Sequence, residues 1–304
     1  MQGVRPSSQN VRMYPRPITG GFLKIKSYAK LNLFLDVVSK RADGYHNIVS
    51  VMQSVDLCDE IEFYKTRGTG FTFITDGEEI PKGESNLVCR AARAMIVGCG
   101  IKESFEIRLI KRIPVGAGLG GGSGNCAATL HGINSLFDLN ISGDELLQIG
   151  MKLGADVPFC LTGGTCLAEG IGEKLTPLER HPDCHIVIAH PNVHVSTKEM
   201  FLGLKDSVFC GGKKKLASLL SGLSNNDLTK VALSFYNVFA DLTIEKVPEV
   251  GLMLTLLESG GALGSSMTGT GSAVFGYFVD RQAALCAAEK LKKIGRVFLA
   301  RPIS

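Results

Sequence analysis

Pro114-Val115-Gly116-Ala117-Gly118-Leu119-Gly120-Gly121-Gly122-Ser123-Gly124-Asn125 is the stretch on which the reading of this chain turns. Its six glycines stand between a segment of strand character, SFEIRLIK (104–111), and an amphipathic helical segment with Leu130, Ile133 and Phe137 inward. Without side chains the backbone passes close to an anion and turns its N–H groups toward it, and the N-terminus of the next helix adds partial positive charge. The pattern predicts a phosphate cradle, since six glycines before an apolar helix exceed what a helix-entry turn requires.

Two familiar phosphate loops compete for this stretch. Gly116-x-x-x-x-Gly121 opens like a P-loop, but Gly122-Ser123 follows where Lys-Ser/Thr is needed, so that reading fails. Gly116-x-Gly118-x-x-Gly121 matches a dinucleotide fingerprint formally, with Asp138 about 20 residues on. Here the loop follows a run of antiparallel-looking strands, and Asp138 falls at the end of a helix, so a nucleotide-binding oxidoreductase ranks second.

Outward from the loop, FLKIKSY, LNLFLDVV, IVSVMQSVDL, EIEFYKT and FTFIT read as five short strands between residues 22 and 75, and residues 85–97 switch to helical spacing. Ser142-Gly143-Asp144-Glu145 signs a helix start that runs to Gly154. The second half mixes strands (CHIVIAH, VFGYFV, GRVFLA) with helices near 213–222, 245–258 and 280–293. Without regular strand-helix alternation, this predicts α+β architecture. At 304 residues two domains are expected, 22–180 and 181–304, with the break where Pro177, Arg180, His181 and Pro182 interrupt the pattern. Residues 1–21, with Arg5, Arg12, Arg16 and no acid, read as a disordered extension.

Composition limits the function classes. A net charge of +4 is too small for a nucleic-acid or membrane footprint, and no apolar run approaches the ~20 residues of a membrane span. Nine dispersed cysteines without a Cys-x-x-Cys pair argue against a disulfide framework or zinc ribbon and predict reduced thiols in the cytoplasm. A metal among His181, Cys184, His185, His190 and His194 is disfavoured, because strand alternation sends His185 and His190 to opposite faces.

Three segments together resemble the small-molecule kinase superfamily of galactokinase, homoserine kinase, mevalonate kinase and phosphomevalonate kinase. They are the 114–125 loop, the glycine-rich SSMTGTGSAVFGYF (265–278), and SYAKLNLFLDVVSKRADGYH (27–46). The last, with LGADVPF (153–159), is similar to the branch whose substrate is a cytidine diphosphate-linked methylerythritol of the non-mevalonate isoprenoid pathway. The resemblance implies a ribosomal protein S5 domain 2-like N-terminal domain and a ferredoxin-like C-terminal domain with the site between them. It implies γ-phosphoryl transfer from ATP to the 2-hydroxyl of that substrate, in a monomer or weak homodimer.

Residue by residue, the resemblance makes Asp156 the base that takes the hydroxyl proton and Lys30 its cationic neighbour. ATP falls to Pro114, Gly116, Gly118, Leu119, Gly120, Gly121, Gly122, Ser123 and Asn86. Tyr45 and Phe201 would sandwich the cytosine and His46 read its edge, while Asn32, Thr197, Thr268 and Gly269 meet the rest of the substrate. Independent chemistry allows simpler roles: Asp156 or Ser196 as helix caps, Phe201 as core. By strand alternation Lys30, Asn32, Phe34 and Asp36 share one face and Leu31, Leu33 and Leu35 the other. Two departures stand out. Ser123-Gly124 replaces the family's paired serines, and the acids expected after the family asparagine are absent near Phe235-Tyr236-Asn237-Val238-Phe239. No acidic residue stands out as a magnesium ligand, so Mg²⁺ is expected to be held mainly through ATP oxygens and water.

Overall fold

The fold is taken from a computed structural model, which describes residues 22–77, 80, 81 and 83–303; the extension expected over 1–21 lies outside them. The first four expected strands are two: β1 (Phe22–Lys40) and β2 (His46–Thr66), paired antiparallel from Phe22↔Tyr64 to Lys40↔His46. The sequence breaks taken for turns lie within continuous strands. Register shifts mark bulges between Tyr28 and Ala29, Asn32 and Phe34, and Val37 and Ser39, and a bulge bends a strand without ending its ladder.

The bulge at Leu33 corrects the face assignment. Phe34 packs with Leu31 and Leu33 in one apolar cluster, while Leu35 and Val37 join another. Lys30 and Asn32 keep a polar pairing of their own, and both are buried.

After β3 (Phe71–Asp76) come α1 (Leu87–Cys99), β4 (Ser104–Ile110), the glycine loop, α2 (Gly121–Leu136), α3 (Gly143–Leu153), α4 (Val157–Thr162), β5 (Thr165–Gly170) and β6 (Lys174–Pro177). The second half holds β7 (His185–His190), α5 (Thr197–Gly203), α6 (Lys213–Ser224), α7 (Leu228–Leu233), β8 (Tyr236–Asn237) and α8 (Ala240–Lys246). It ends with α9 (Pro248–Ser259), β9 (Gly264–Met267), β10 (Val274–Phe278), α10 (Arg281–Leu291) and β11 (Arg296–Ala300).

The first sheet runs β3-β4-β2-β1-β8, with β5 on the free half of β2 and β6 beyond it. The second runs β11-β7-β10-β9, wholly antiparallel. With α9 and α10 as its crossovers it has the βαββαβ order of a ferredoxin-like unit. The architecture is thus α+β in two units. The helices α1–α4 cover one face of the first sheet through Phe63, Phe105, Ile107, Met95 and Ile133. A second cluster joins the two sheets, with Leu31, Leu33 and Val51 against Ile186, Ile188 and Phe275. Local signals hold where they are chemical: Ser142 and Glu145 form a reciprocal capping box at α3, and Gly154 ends it.

Candidate active site

The two glycine-rich segments clasp each other at the junction of the sheets. Leu119 O accepts from Lys30 N at 3.0 Å, Ala117 O from Ala273 N at 3.2 Å, and Gly118 O from Thr268 Oγ1 at 3.1 Å. Gly118 has φ +79°, and a Cβ there would stand 2.2 Å from Thr268 O; one on Gly120 would stand 2.8 Å from Lys30 Cγ. These glycines make room for the protein's own chain. Both glycines also line the cavity described next, so close packing within the chain accompanies the ligand-facing position expected from the sequence.

Gly122 alone among the other loop glycines has room, a Cβ there meeting only Leu87 Cδ1 at 3.8 Å, while one on Gly116 would stand 2.0 Å from His194 Cδ2 and one on Gly121 3.0 Å from Lys111 Nζ. Gly120 starts α2 without a side-chain cap, so the first-turn amides of the helix are left for an outside acceptor. They border a cavity of about 300 Å³ lined by Asn86, Lys111, Asn125 and every residue from Pro114 to Ser123. Asn86 sits at its edge, accepting from Val88 N at 2.8 Å as the cap of α1. The Gly124 departure has a local cause. A Cβ there would lie 2.8 Å from Ser27 Oγ and 3.0 Å from Tyr28 O.

Beneath the cavity lies a pair the sequence reading missed. Asp59 is fully buried and accepts from Lys111 Nζ (2.6 Å), Asn125 Nδ2 (2.8 Å), Arg112 N (2.7 Å) and Ile113 N (2.8 Å). It ties the strand before the glycine loop to the helix after it. Burial pushes the Lys111 ammonium down, opposed by the charge and hydrogen bond of Asp59. The signal was available: Asp59 shares parity with the buried Ile61 and Phe63, and Lys111 with Phe105, Ile107 and Leu109. Charges on the core face of two neighbouring strands must pair.

Lys30 and Asp156 meet, as the family resemblance implied. Lys30 Nζ lies 3.8 Å from Asp156 Oδ2, with the lysine 5% and the aspartate 35% exposed in the side chain. Asp156 stands at the N-cap of α4, yet its carboxylate makes no capping bond, which leaves it free to face the cleft. Lys30 Nζ also donates to Asn32 Oδ1 at 2.5 Å. Asn32 is fixed on every side: Nδ2 donates to Ser50 Oγ (2.8 Å), its N–H to Thr268 Oγ1 (3.0 Å), and Oδ1 accepts from Gly269 N (2.9 Å). Thr268 has no exposed surface, and its hydroxyl serves Asn32 and Gly118.

The β1–β2 turn carries Tyr45, 62% exposed, and then His46. His46 lies 5.1 Å from Phe201 between ring centroids and 6.1 Å, edge-on, from Phe209. Phe201 in turn rests on Phe239 at 4.8 Å. Burial, then the charge of Lys40, lowers the His46 pKa and favours its neutral ring. Ser196 caps α5, and Thr197 Oγ1 lies 3.2 Å from Thr270 Oγ1. Phe209 had no sequence signal, standing alone in an irregular segment. Among the described residues no group of three His, Cys, Asp or Glu could hold a metal ion, and no helix is long and apolar enough to cross a membrane.

A ferredoxin-like unit beside a mixed sheet, with a glycine loop at a helix start and a Lys–Asp pair in the cleft, defines a class of small-molecule kinase. Residues 86–164 match the GHMP kinases N terminal domain and residues 216–297 the GHMP kinases C terminal family. The chain is 42% identical, over 89% of its length and 94% of the relative's, to the 4-diphosphocytidyl-2-C-methyl-D-erythritol kinase of Caldicellulosiruptor bescii. It is 40% identical to that of Clostridium beijerinckii, over 92% and 100%. A crystal structure of 4-(cytidine 5'-diphospho)-2C-methyl-D-erythritol kinase superposes with a TM-score of 0.80 at 29% identity, covering 93% of this chain and 100% of that one. Homoserine kinase from Cytophaga hutchinsonii shares the fold, with a TM-score of 0.76 at 23% identity over 93% and 95%. The chain belongs to the GHMP kinases, on the branch of the 4-diphosphocytidyl-2-C-methyl-D-erythritol kinases.

Proposed function

We propose that the chain transfers the γ-phosphoryl of ATP to the 2-hydroxyl of 4-diphosphocytidyl-2-C-methyl-D-erythritol. The observation that carries this reading is the Lys30–Asp156 pair, 3.8 Å apart, on the same long hairpin-based frame that holds the His46–Phe201 ring pair. The middle of β1 thus addresses a hydroxyl and the turn beyond its C-terminal end a base.

In the mechanism the amides of Gly121, Gly122 and Ser123 receive phosphate oxygens at the start of α2. Asp156 accepts the proton of the substrate hydroxyl as its oxygen attacks the γ-phosphorus; the bond from that phosphorus to the β-phosphate bridging oxygen breaks, and ADP leaves. Lys30 lies beside the carboxylate and the developing negative charge, and Asn32 holds the ammonium in place. His46, as a neutral ring, offers one donor and one acceptor to a cytosine edge, with Phe201 and the exposed Tyr45 supplying stacking surface worth ~1–3 kcal/mol per base. Thr197 borders the same region, and Thr268 and Gly269 act by fixing Asn32. Among the described residues no carboxylate lines the cavity, so magnesium would be held there mainly through the nucleotide and would neutralise phosphate charge.

We place the domain junction between β6, in the first sheet, and β7, in the second, near residue 180. A cytoplasmic setting is supported by nine free thiols. ADP release measured with the cytidine-linked substrate, homoserine and mevalonate tests the reading: turnover is expected with the first alone, and equal turnover with either of the others overturns it.

A further inference from the structure

Asp36 is a carboxylate that the proposed chemistry does not use, yet it is 3% exposed. Taking a carboxylate out of water is costly unless hydrogen bonds replace the lost solvent. Asp36 finds them in its own strand and in the segment joining α5 to α6. Its Oδ2 accepts from Gly212 N at 2.8 Å, and its Oδ1 from Val37 N at 2.9 Å. Cys210 N donates to Val37 O at 3.0 Å beside it, with Cys210 held at φ +58°. Gly212 has no room for a side chain, since a Cβ would stand 2.6 Å from both Phe34 and Tyr236. The segment is therefore pinned to β1 by the backbone bond of Cys210 and, at Gly212, by the Asp36 carboxylate. One residue before Cys210 stands Phe209, whose ring meets His46 edge-on, while Phe201 meets the same imidazole at a tilt.

We propose that Asp36 is a positioning residue for the base pocket: its carboxylate pins residues 210–212 to β1 and so sets Phe209 against His46, fixing the ring that reads the substrate's base. The inference rests on the reading of His46 and Phe201 as the base site. Burial pushes the Asp36 carboxyl up, countered by the amides of Gly212, Val37 and Cys210 and by Lys213. The Asp36 charge in turn helps raise the pKa of Tyr236, after the larger effect of burial. An amide in its place keeps the volume but sets an N–H₂ against one of the pinning N–H donors.

The test is Asp36→Asn, with steady-state kinetics for both substrates and direct titration with CDP. The expected result is a KM for the cytidine-linked substrate raised about tenfold, with kcat and the ATP KM within about twofold, and CDP affinity lowered by the same factor as the KM rises. Unchanged CDP affinity, or a parallel loss in both KM values and kcat, overturns the proposal. If Asp36→Asn does not fold, Phe209→Leu decides, because it removes the ring and leaves the pin: weakened CDP binding supports the proposal and wild-type binding overturns it. Failure of the wild-type protein to bind CDP at all instead brings down the base-site reading itself, which separates the two.

Discussion

Gly118→Ala and Gly122→Ala, two identical changes four residues apart in one loop, should fail in different ways. At Gly118 the new Cβ stands 2.2 Å from Thr268 O, where real contacts stay above 3.0 Å, so one backbone must yield by about 0.8 Å. The φ of +79° adds left-handed strain of about 1–2 kcal/mol, and overpacking about 1–3 kcal/mol. A loss of about 2–5 kcal/mol follows, or a Tm lowered by about 3–8 °C at this chain length. Because Lys30 and Asn32 are anchored to the same clasp, kcat should fall about 100-fold, the usual effect of ~1 Å misplacement. At Gly122 the Cβ meets only Leu87 Cδ1, at 3.8 Å, on helical backbone. Alanine there keeps or raises Tm, by up to ~1 kcal/mol of helix propensity, while its methyl enters the phosphate cavity and raises the ATP KM about tenfold. Thermal unfolding and ATP titrations of both variants read this out. A Gly118→Ala protein with wild-type Tm and kcat, or a Gly122→Ala protein with wild-type ATP KM, refutes the division of the loop into clasp and cradle.

Asp156→Asn should bind ATP and CDP as wild type and lose ~10²–10⁴-fold in kcat, as measured by ADP release; wild-type turnover would remove it as the base. Asp59→Asn leaves the Lys111 ammonium buried without its counter-charge and should destabilise by about 3–5 kcal/mol in urea unfolding, a cost that a solvated pair would not show. His131 and His181 are pushed down by burial to about 4 from an ordinary 6.5. The unfolded chain then takes up protons that the folded one refuses, so stability is full above pH 6.5 and falls by up to about 3 kcal/mol per histidine as pH drops toward 4. Stability that stays flat across that window contradicts the burial of the two rings.

What the sequence disclosed was local chemistry. The glycine loop, the capping box at Ser142 and the stop at Gly154 are written in residues a few positions apart, and they appear in place. Strand count was misread because a bulge and a turn look alike along the chain; only the partner strand shows that Tyr28–Ala29 and Asn32–Phe34 continue the ladder. Lys30 and Asp156 were nameable from their motifs, but their meeting depends on β1 and α4 being brought together by packing against α2. Asp59 and Lys111 were legible by parity and were passed over. Gly118 and Gly124 look like ligand glycines in sequence, and only the approach of Thr268 and Ser27 shows that they yield space to the chain itself.

The central claim, phosphoryl transfer to the alcohol of a cytidine diphosphate-linked substrate, is tested most directly by ³¹P NMR of the reaction with ATP. The account predicts one new phosphomonoester resonance growing in step with ADP while the substrate's own diphosphate signals persist. Inorganic phosphate in place of that resonance, or loss of the substrate diphosphate, would contradict it.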